Sequence, residues 1–217
     1  MKRVRKALDR SRPGCLIDFH SGNEYLYKDL HVSPANKYME HFPYINSLWF
    51  GEMYDYNESP DYWLVEMSGI PFGLFGEMLQ DNGNPWRGMV YGMTARYYQG
   101  ADPKHIWKVW DEFGIQDAQM IGYWVPGCPV KANHEGTLAT LYLKKRKALM
   151  SIAGWAKEAV DCRLEIDWSA LGIDPYKARL SAQNTPAFQK EARFDPSAEI
   201  PIEPGPGWLL LLEEEAS

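Results

Sequence analysis

The sequence predicts an α/β segment followed by an all-β segment, and three observations carry that prediction. Apolar runs of strand length at residues 15–19 (CLIDF) and 47–51 (SLWFG) each end in a cluster of polar or aromatic groups. Helical periodicity separates such runs, most clearly where Ile106, Trp107, Val109, Trp110 and Phe113 recur at spacings of three and four. From Pro126 onward the long helical pattern disappears, and short apolar runs alternate with Pro and Gly.

Residues 1–11 place Val4, Ala7 and Leu8 among bases, the pattern of a short amphipathic helix that Pro13-Gly14 stops. The first strand, 15–19, leads into Asp18, His20, Ser21 and Asn23. A helical stretch at 35–41 follows, then the second strand, 47–51, with Glu52, Tyr54, Asp55 and Tyr56 at its exit. Ser59-Pro60-Asp61 starts a helix that continues through 62–67. Residues 70–79 are ambiguous, because Gly73 and Gly76 weaken a helix. Residues 87–93 (RGMVYGM) are expected as a third strand, 102–113 as a helix ended by Gly114, and 118–123 (AQMIGY) as a fourth strand with Trp124 at its exit. Half of a (β/α) barrel fits this alternation, since barrel sites form at the C-terminal ends of the strands, and a small doubly wound sheet fits the same pattern. Pro126-Gly127-Cys128-Pro129 reads as a linker. Strands are expected at 137–143, 148–154, 162–166 and 208–212, with a hairpin tip at 144–147.

Composition narrows the function. At 217 residues, with 45% hydrophobic and 24% charged residues, the chain can bury a real core. A net charge of −6 argues against nucleic acid as a partner, since phosphate binding needs a basic face. No apolar run reaches membrane-spanning length and no signal peptide follows the basic start, which leaves the compartment open. Cys15, Cys128 and Cys162 are widely spaced, match no metal pattern and read as small buried residues. There is no phosphate-cradling glycine loop, zinc motif or nucleophile elbow, so neither cofactor nor metal is expected.

The rest of the chain is organised around residues 46–86. No Lys or Arg occurs between Lys37 and Arg87, yet the interval holds eight acids: Glu40, Glu52, Asp55, Glu58, Asp61, Glu66, Glu77 and Asp81. Trp49, Tyr54, Tyr56, Trp63 and Trp86 stand among them. Carboxylates beside ring surface suit a neutral polyhydroxylated ligand, whose C–H faces stack while its hydroxyls donate. The plainer reading is an acidic face over an aromatic core.

Glu52 is the candidate general acid, since partial burial at a strand exit raises a carboxyl pKa. The alternative is a structural carboxylate that accepts from loop amides. Asp18 and His20, two apart on a strand, point the same way and can hold one ligand together, or satisfy each other. Glu77 and Trp124 complete the sugar-contact candidates, with Asn23, Trp49, Tyr54 and Tyr56. Asp18, His20, Glu52 and Trp124 are expected to converge on one face. Adjacent Asp111 and Glu112 fall inside the 102–113 helix and read as its solvated face.

The runs LIDFHSGN, FPYINSLWFGEMYDY, PDYWLVEMSGIPFGLFGEML, NPWRGMVYGMTARY, WKVWDEFGI and AQMIGYW resemble the C-terminal portion of bacterial proteins related to glycoside hydrolase family 123. The resemblance covers nearly the whole chain. It implies the C-terminal half of a (β/α)8 TIM-like barrel, strands five to eight, over residues 1–128, and a small β-sandwich over residues 132–217. It also implies retaining hydrolysis of β-linked N-acetylgalactosamine or a related N-acetylhexosamine. In that chemistry the substrate's own acetamido oxygen attacks, assisted by an adjacent Asp-Glu pair. Asp111-Glu112 does not lie at a strand end, so that pair is expected upstream, in a missing N-terminal half-barrel that becomes a partner alongside the glycan. A half-barrel with open sheet edges is expected to be marginally stable or to self-associate. The alternative function is a non-catalytic carbohydrate-binding module.

Overall fold

The computed structural model of the protein describes residues 1–20, 38–49, 55–81, 83–93, 95–97 and 102–215, with backbone alone at 49, 78–81 and 95–97. Asn23, Glu52 and Tyr54 lie outside the described residues, and Trp49 is described by its backbone.

Helix α1 (Lys2–Ser11) half-buries Met1, Arg5 and Leu8 and leaves Lys2, Arg3, Lys6 and Arg10 in solvent. Arg5 fixes it to the chain that follows, donating to Asp9 at 2.6 Å and to the Cys15 carbonyl at 2.7 Å. Strand β1 (Asp18–His20) is shorter than the apolar run that precedes it. The reason is Asn46: its side-chain oxygen accepts from the Ile17 N–H at 2.8 Å, and its own N–H donates to the Ile17 carbonyl. Asn46 therefore takes the backbone groups through which residue 17 could extend the strand.

Strand β2 (Ser47–Trp49) pairs parallel with β1, placing Ser47 opposite Asp18 and Trp49 opposite His20. Strand β3 (Phe75–Gly76) pairs parallel with β2 on its other side. Alternation gives this sheet two unlike faces. Ile17 and Leu48 are buried on one face, where Gly76 is also enclosed. A Cβ at Gly76 would lie 2.0 Å from the Met67 carbonyl oxygen, so only glycine fits there. The other face carries Asp18 and Ser47 together with Leu16, 71% exposed, and Phe75, 52% exposed.

Between β2 and β3 runs α2 (Pro60–Tyr62), capped by the Ser59 hydroxyl and continued by a π-helical turn at Trp63–Met67, where the sequence places a helix. Strands β4 (Met78–Asp81) and β5 (Ala95–Tyr97) form a second parallel pair. The chain between them corrects an expectation. Residues 87–90 of the supposed third strand lie in helix α3 (Pro85–Val90), started by Pro85 and capped by the Asn84 side chain, which accepts from the Arg87 N–H at 3.0 Å. All six residues are buried, Arg87 among them, and a short helix enclosed on every side lacks the one-sided apolar periodicity that distinguishes helix from buried strand. Helix and sheet are mixed in this part of the chain, and the described residues close no barrel.

Helix α4 (Lys104–Phe113) ends at Gly114 (φ 72°) and buries Ile106, Val109 and Phe113. Strand β6 (Gln119–Ile121) is the second correction. It pairs antiparallel with β8 (Thr137–Lys144) and is the edge of a C-terminal sheet, not a fourth barrel strand. A three-residue run carries no record of the direction of its partner.

That sheet has six antiparallel strands in the order β12-β11-β14-β9-β8-β6, with β9 (Lys147–Gly154), β11 (Ala178–Ala182), β12 (Ala192–Phe194) and β14 (Trp208–Glu214). A smaller sheet joins β13 (Glu199–Ile202), β10 (Val160–Ile166) and β7 (Val130–Ala132). Strand β9 is buried on both sides, which explains its continuous apolar run. Ala148, Met150 and Ile152 meet Cys162, Leu164 and Ile200 of the smaller sheet, while Leu149 and Ala153 join Trp86, Met89 and Phe113 of the helical part. Cys128 and Cys162 are buried thiols and Cys15 is half-buried. Among the described residues no helix is long and apolar enough to cross a membrane.

Candidate functional site

The open face of the parallel sheet brings two carboxylates to one hydroxyl. Ser47 is almost fully buried, and its Oγ donates to Asp18 Oδ1 at 2.7 Å. The same oxygen is 3.4 Å from Glu77 Oε1, just past the end of β3. One hydroxyl carries one proton, so the short contact to Asp18 is the bond and Glu77 is left with a weak partner. Partial burial, and then the negative charge of Asp18, push the Glu77 carboxyl above its ordinary pKa. Glu77 thus keeps a proton longer than a solvated glutamate. His20 stands two residues along β1 from Asp18, on the same side, and is exposed.

The two aromatic candidates whose side chains are described, Tyr56 and Trp124, go elsewhere. Trp63, Tyr91 and Trp124 form a continuous stack, Trp63 on Tyr91 at 5.8 Å and Tyr91 on Trp124 at 5.6 Å, with interplanar angles of 17° and 9°. Tyr56 adjoins Trp63 at 5.7 Å, and Trp155 meets it edge-on. The Tyr91 hydroxyl donates to the Pro60 carbonyl at 2.9 Å and lies 3.2 Å from the Tyr123 hydroxyl. Burial raises the Tyr56, Tyr91 and Tyr123 pKa values, so these phenols stay neutral. Gly122 lets the Trp124 indole fold back, since a Cβ there would lie 2.3 Å from the ring.

The buried Arg87 guanidinium lies 4.9 Å over the Trp155 ring and donates to the Gly154 carbonyl at 3.1 Å and to the Tyr56 carbonyl at 2.5 Å. Trp155 Nε1 donates to the Glu58 carbonyl at 2.9 Å. The chain after β2 is thereby fastened to the end of β9. Asp18, Glu77 and His20 share the open face, whereas Tyr56 and Trp124 pack in the stack. Asp111 and Glu112 are exposed on α4, where Lys108 holds Glu112 at 2.5 Å, the solvated face expected of them. Among the described residues no group of three or more His, Cys, Asp or Glu could hold a metal ion.

The family follows from two matches. Residues 1–98 match the model described as glycoside hydrolase 123, TIM-barrel domain, and residues 102–213 match glycoside hydrolase 123, C-terminal domain. The chain belongs to glycoside hydrolase family 123. None of the curated proteins matches the sequence. Among solved structures, the maltogenic alpha-amylase AmyB from Thermotoga neapolitana is similar, with 11% identity and a TM-score of 0.46. That alignment covers 96% of this chain and 57% of the amylase, so the chain spans a little over half the length of that structure.

In this family 123 chain the residue missed from sequence is Ser47, which binds the carboxylates together. It read as one more strand position. The available signal was its place one residue after Asn46, at the foot of an apolar strand, in a stretch rich in acids and free of bases. Tyr91 was missed for another reason, because its segment read as a strand and not as the end of a helix.

Proposed function

We propose that the chain supplies the sugar-holding half of a glycosidase that cleaves β-linked N-acetylhexosaminides, N-acetylgalactosaminides in particular, with retention of configuration. The observation that carries this reading is the Asp18–Ser47–Glu77 cluster on the open face of a parallel sheet, within the segment matching the family's barrel model. In a (β/α) barrel the reactive groups gather beyond the C-terminal ends of parallel strands, and His20 and Glu77 stand at such ends here. In the reaction the acetamido oxygen of the substrate attacks the anomeric carbon and displaces the aglycone, and water then opens the cyclic intermediate. Asp18, as a carboxylate, accepts from sugar hydroxyls. Glu77, whose pKa is raised by partial burial and by the Asp18 charge, is the carboxyl of the two that more readily carries a proton to donate. Glu52, which follows β2 in the sequence, is proposed as the proton donor, and Asn23, Trp49 and Tyr54 as further sugar contacts.

The Asp-Glu pair that assists the acetamido group is assigned to a companion half-barrel. The chain's single Asp-Glu dipeptide is Asp111-Glu112, on a helix face. The exposed Leu16 and Phe75 on the open face suit the same companion, since barrel interiors are packed by layers of such side chains. The placement of Asp111-Glu112 also favours a second reading, a carbohydrate-binding module without turnover.

The test is hydrolysis of a chromogenic N-acetyl-β-D-galactosaminide, by the chain alone and mixed with an N-terminal half-barrel from a family member. Turnover in the mixture that falls with Glu77→Gln supports the glycosidase. Sugar binding without turnover in either sample supports the module.

A further inference from the structure

A second polar recess lies away from the parallel sheet, on the C-terminal sheet. Helix α4 covers only part of that sheet's outer face, and beyond it β14, β11 and β12 are left open. Their outward side chains line a groove of about 700 Å³, solvent at its mouth included. Arg179 and Ser181 stand on β11, Arg193 on β12 directly opposite Ser181, and Glu213 on β14 directly opposite Arg179. Gln183 and Asn184 close one end.

That end is rigid. The Gln189 side chain takes the place of a strand there, accepting from the Leu209 N–H at 2.9 Å and donating to the Leu209 carbonyl at 2.9 Å. The same amide donates to the Gln183 carbonyl at 3.0 Å, and Ala187 is held at a φ of 66°. Phe188 packs on Trp86 at 6.0 Å and seats the turn on the core. A wall fixed in this way adds little ordering cost when a ligand arrives.

Arg179 bonds Glu213 through Nη2 at 2.5 Å and keeps about a third of its side chain exposed at the groove. Two cations, Arg179 and Arg193, balance two anions, Glu191 and Glu213, so neither sign of ion is drawn in. Donors and acceptors alternate across the floor, the arrangement a hydroxyl answers because it is both.

We propose that this groove is a second carbohydrate site, binding a neutral oligosaccharide through hydrogen bonds to Arg179, Ser181, Asn184 and Arg193. It is separate from the Asp18 site and does not depend on turnover there. With no aromatic ring in its lining, the groove holds sugar without stacking, and its affinity is modest, on the order of 1 mM.

The test is calorimetric titration of the full chain with xylohexaose, cellohexaose and maltohexaose, none of which carries the N-acetyl group proposed for the Asp18 site. At least one of them binds, and Ser181→Trp, which fills the groove, weakens that binding at least about tenfold. Glu77→Gln leaves it unchanged. If Ser181→Trp does not fold, Arg193→Ala on the exposed edge strand decides in its place. Failure of all three sugars to bind, binding indifferent to the groove variants, or binding lost in Glu77→Gln instead would each overturn the proposal. Loss in Glu77→Gln alone would place the sugar at the Asp18 site and leave the main functional reading intact.

Discussion

The hydroxyl of Ser47 donates to Asp18 at 2.7 Å, so the middle strand of the parallel sheet holds the carboxylate of its edge strand. Because that proton is committed to Asp18, Glu77 has only a weak partner in Ser47, and its partial burial beside the Asp18 charge raises its pKa.

Ser47→Ala removes the shared donor while leaving the strand. A hydrogen bond to a charged group contributes about 1.5–3 kcal/mol, and half-exposed Asp18 recovers part of that from water, so a loss of about 1 kcal/mol is expected. Urea denaturation of the two proteins measures it. An unchanged midpoint would show that the contact contributes nothing to the fold.

The raised pKa of Glu77 has a definite consequence for stability against pH. The folded state favours the protonated carboxyl, so the stabilisation from this group is complete below the unfolded pKa and is lost as pH rises through the folded value. The melting temperature of the natural protein should therefore fall relative to Glu77→Gln as pH rises through and above the ordinary carboxylate range. A relative rise over that interval would reverse the assignment of the proton.

Trp124→Ala separates a core ring from a sugar platform. Stacked at 5.6 Å on Tyr91 and partly buried, Trp124 should cost roughly 2–4 kcal/mol on truncation, somewhat below the range for fully buried tryptophan. Affinity for N-acetylgalactosamine should stay within about twofold, a small energy on the scale of tenfold per 1.4 kcal/mol. Thermal melts and titrations on the one variant decide it; lost binding with an intact melt would return Trp124 to the site.

Among the described residues strand β1 is the edge of its sheet, and Leu16 and Phe75 are exposed on the open face. An unpaired edge beside apolar surface promotes association. Sedimentation of the chain alone should show concentration-dependent self-association, reduced by Phe75→Glu. A monomer at all concentrations would show that the sheet needs no cover.

The sequence was most legible where one periodicity and one partner decide the structure. Helix α4 follows from apolar residues spaced three and four apart and from Gly114. That Asp18 and His20 share a side follows from strand alternation, since only one apolar layer, containing Leu48, lies under that sheet. Legibility failed where burial is all-round or the partner is distant. Residues 85–90 are enclosed on every side, and their composition does not distinguish helix from strand. Gln119–Ile121 reads as a strand but pairs with residues of the following sheet, a choice set by the long hairpin β8–β9. Trp124 was read as a strand-exit platform because the stack that receives it is built by Trp63 and Tyr91, far away in sequence.

The central claim is that the open face at Asp18, Ser47 and Glu77 holds an amino sugar. Calorimetric titration of N-acetylgalactosamine into the natural chain and into the Asp18→Asn, Glu77→Gln double variant tests it most directly. Replacing both carboxyls by amides while keeping shape should weaken binding at least about tenfold, since the charged hydrogen bond at Asp18 alone contributes about 1.5–3 kcal/mol. Equal affinity in the two proteins, or no heat of binding in the natural one, would contradict it.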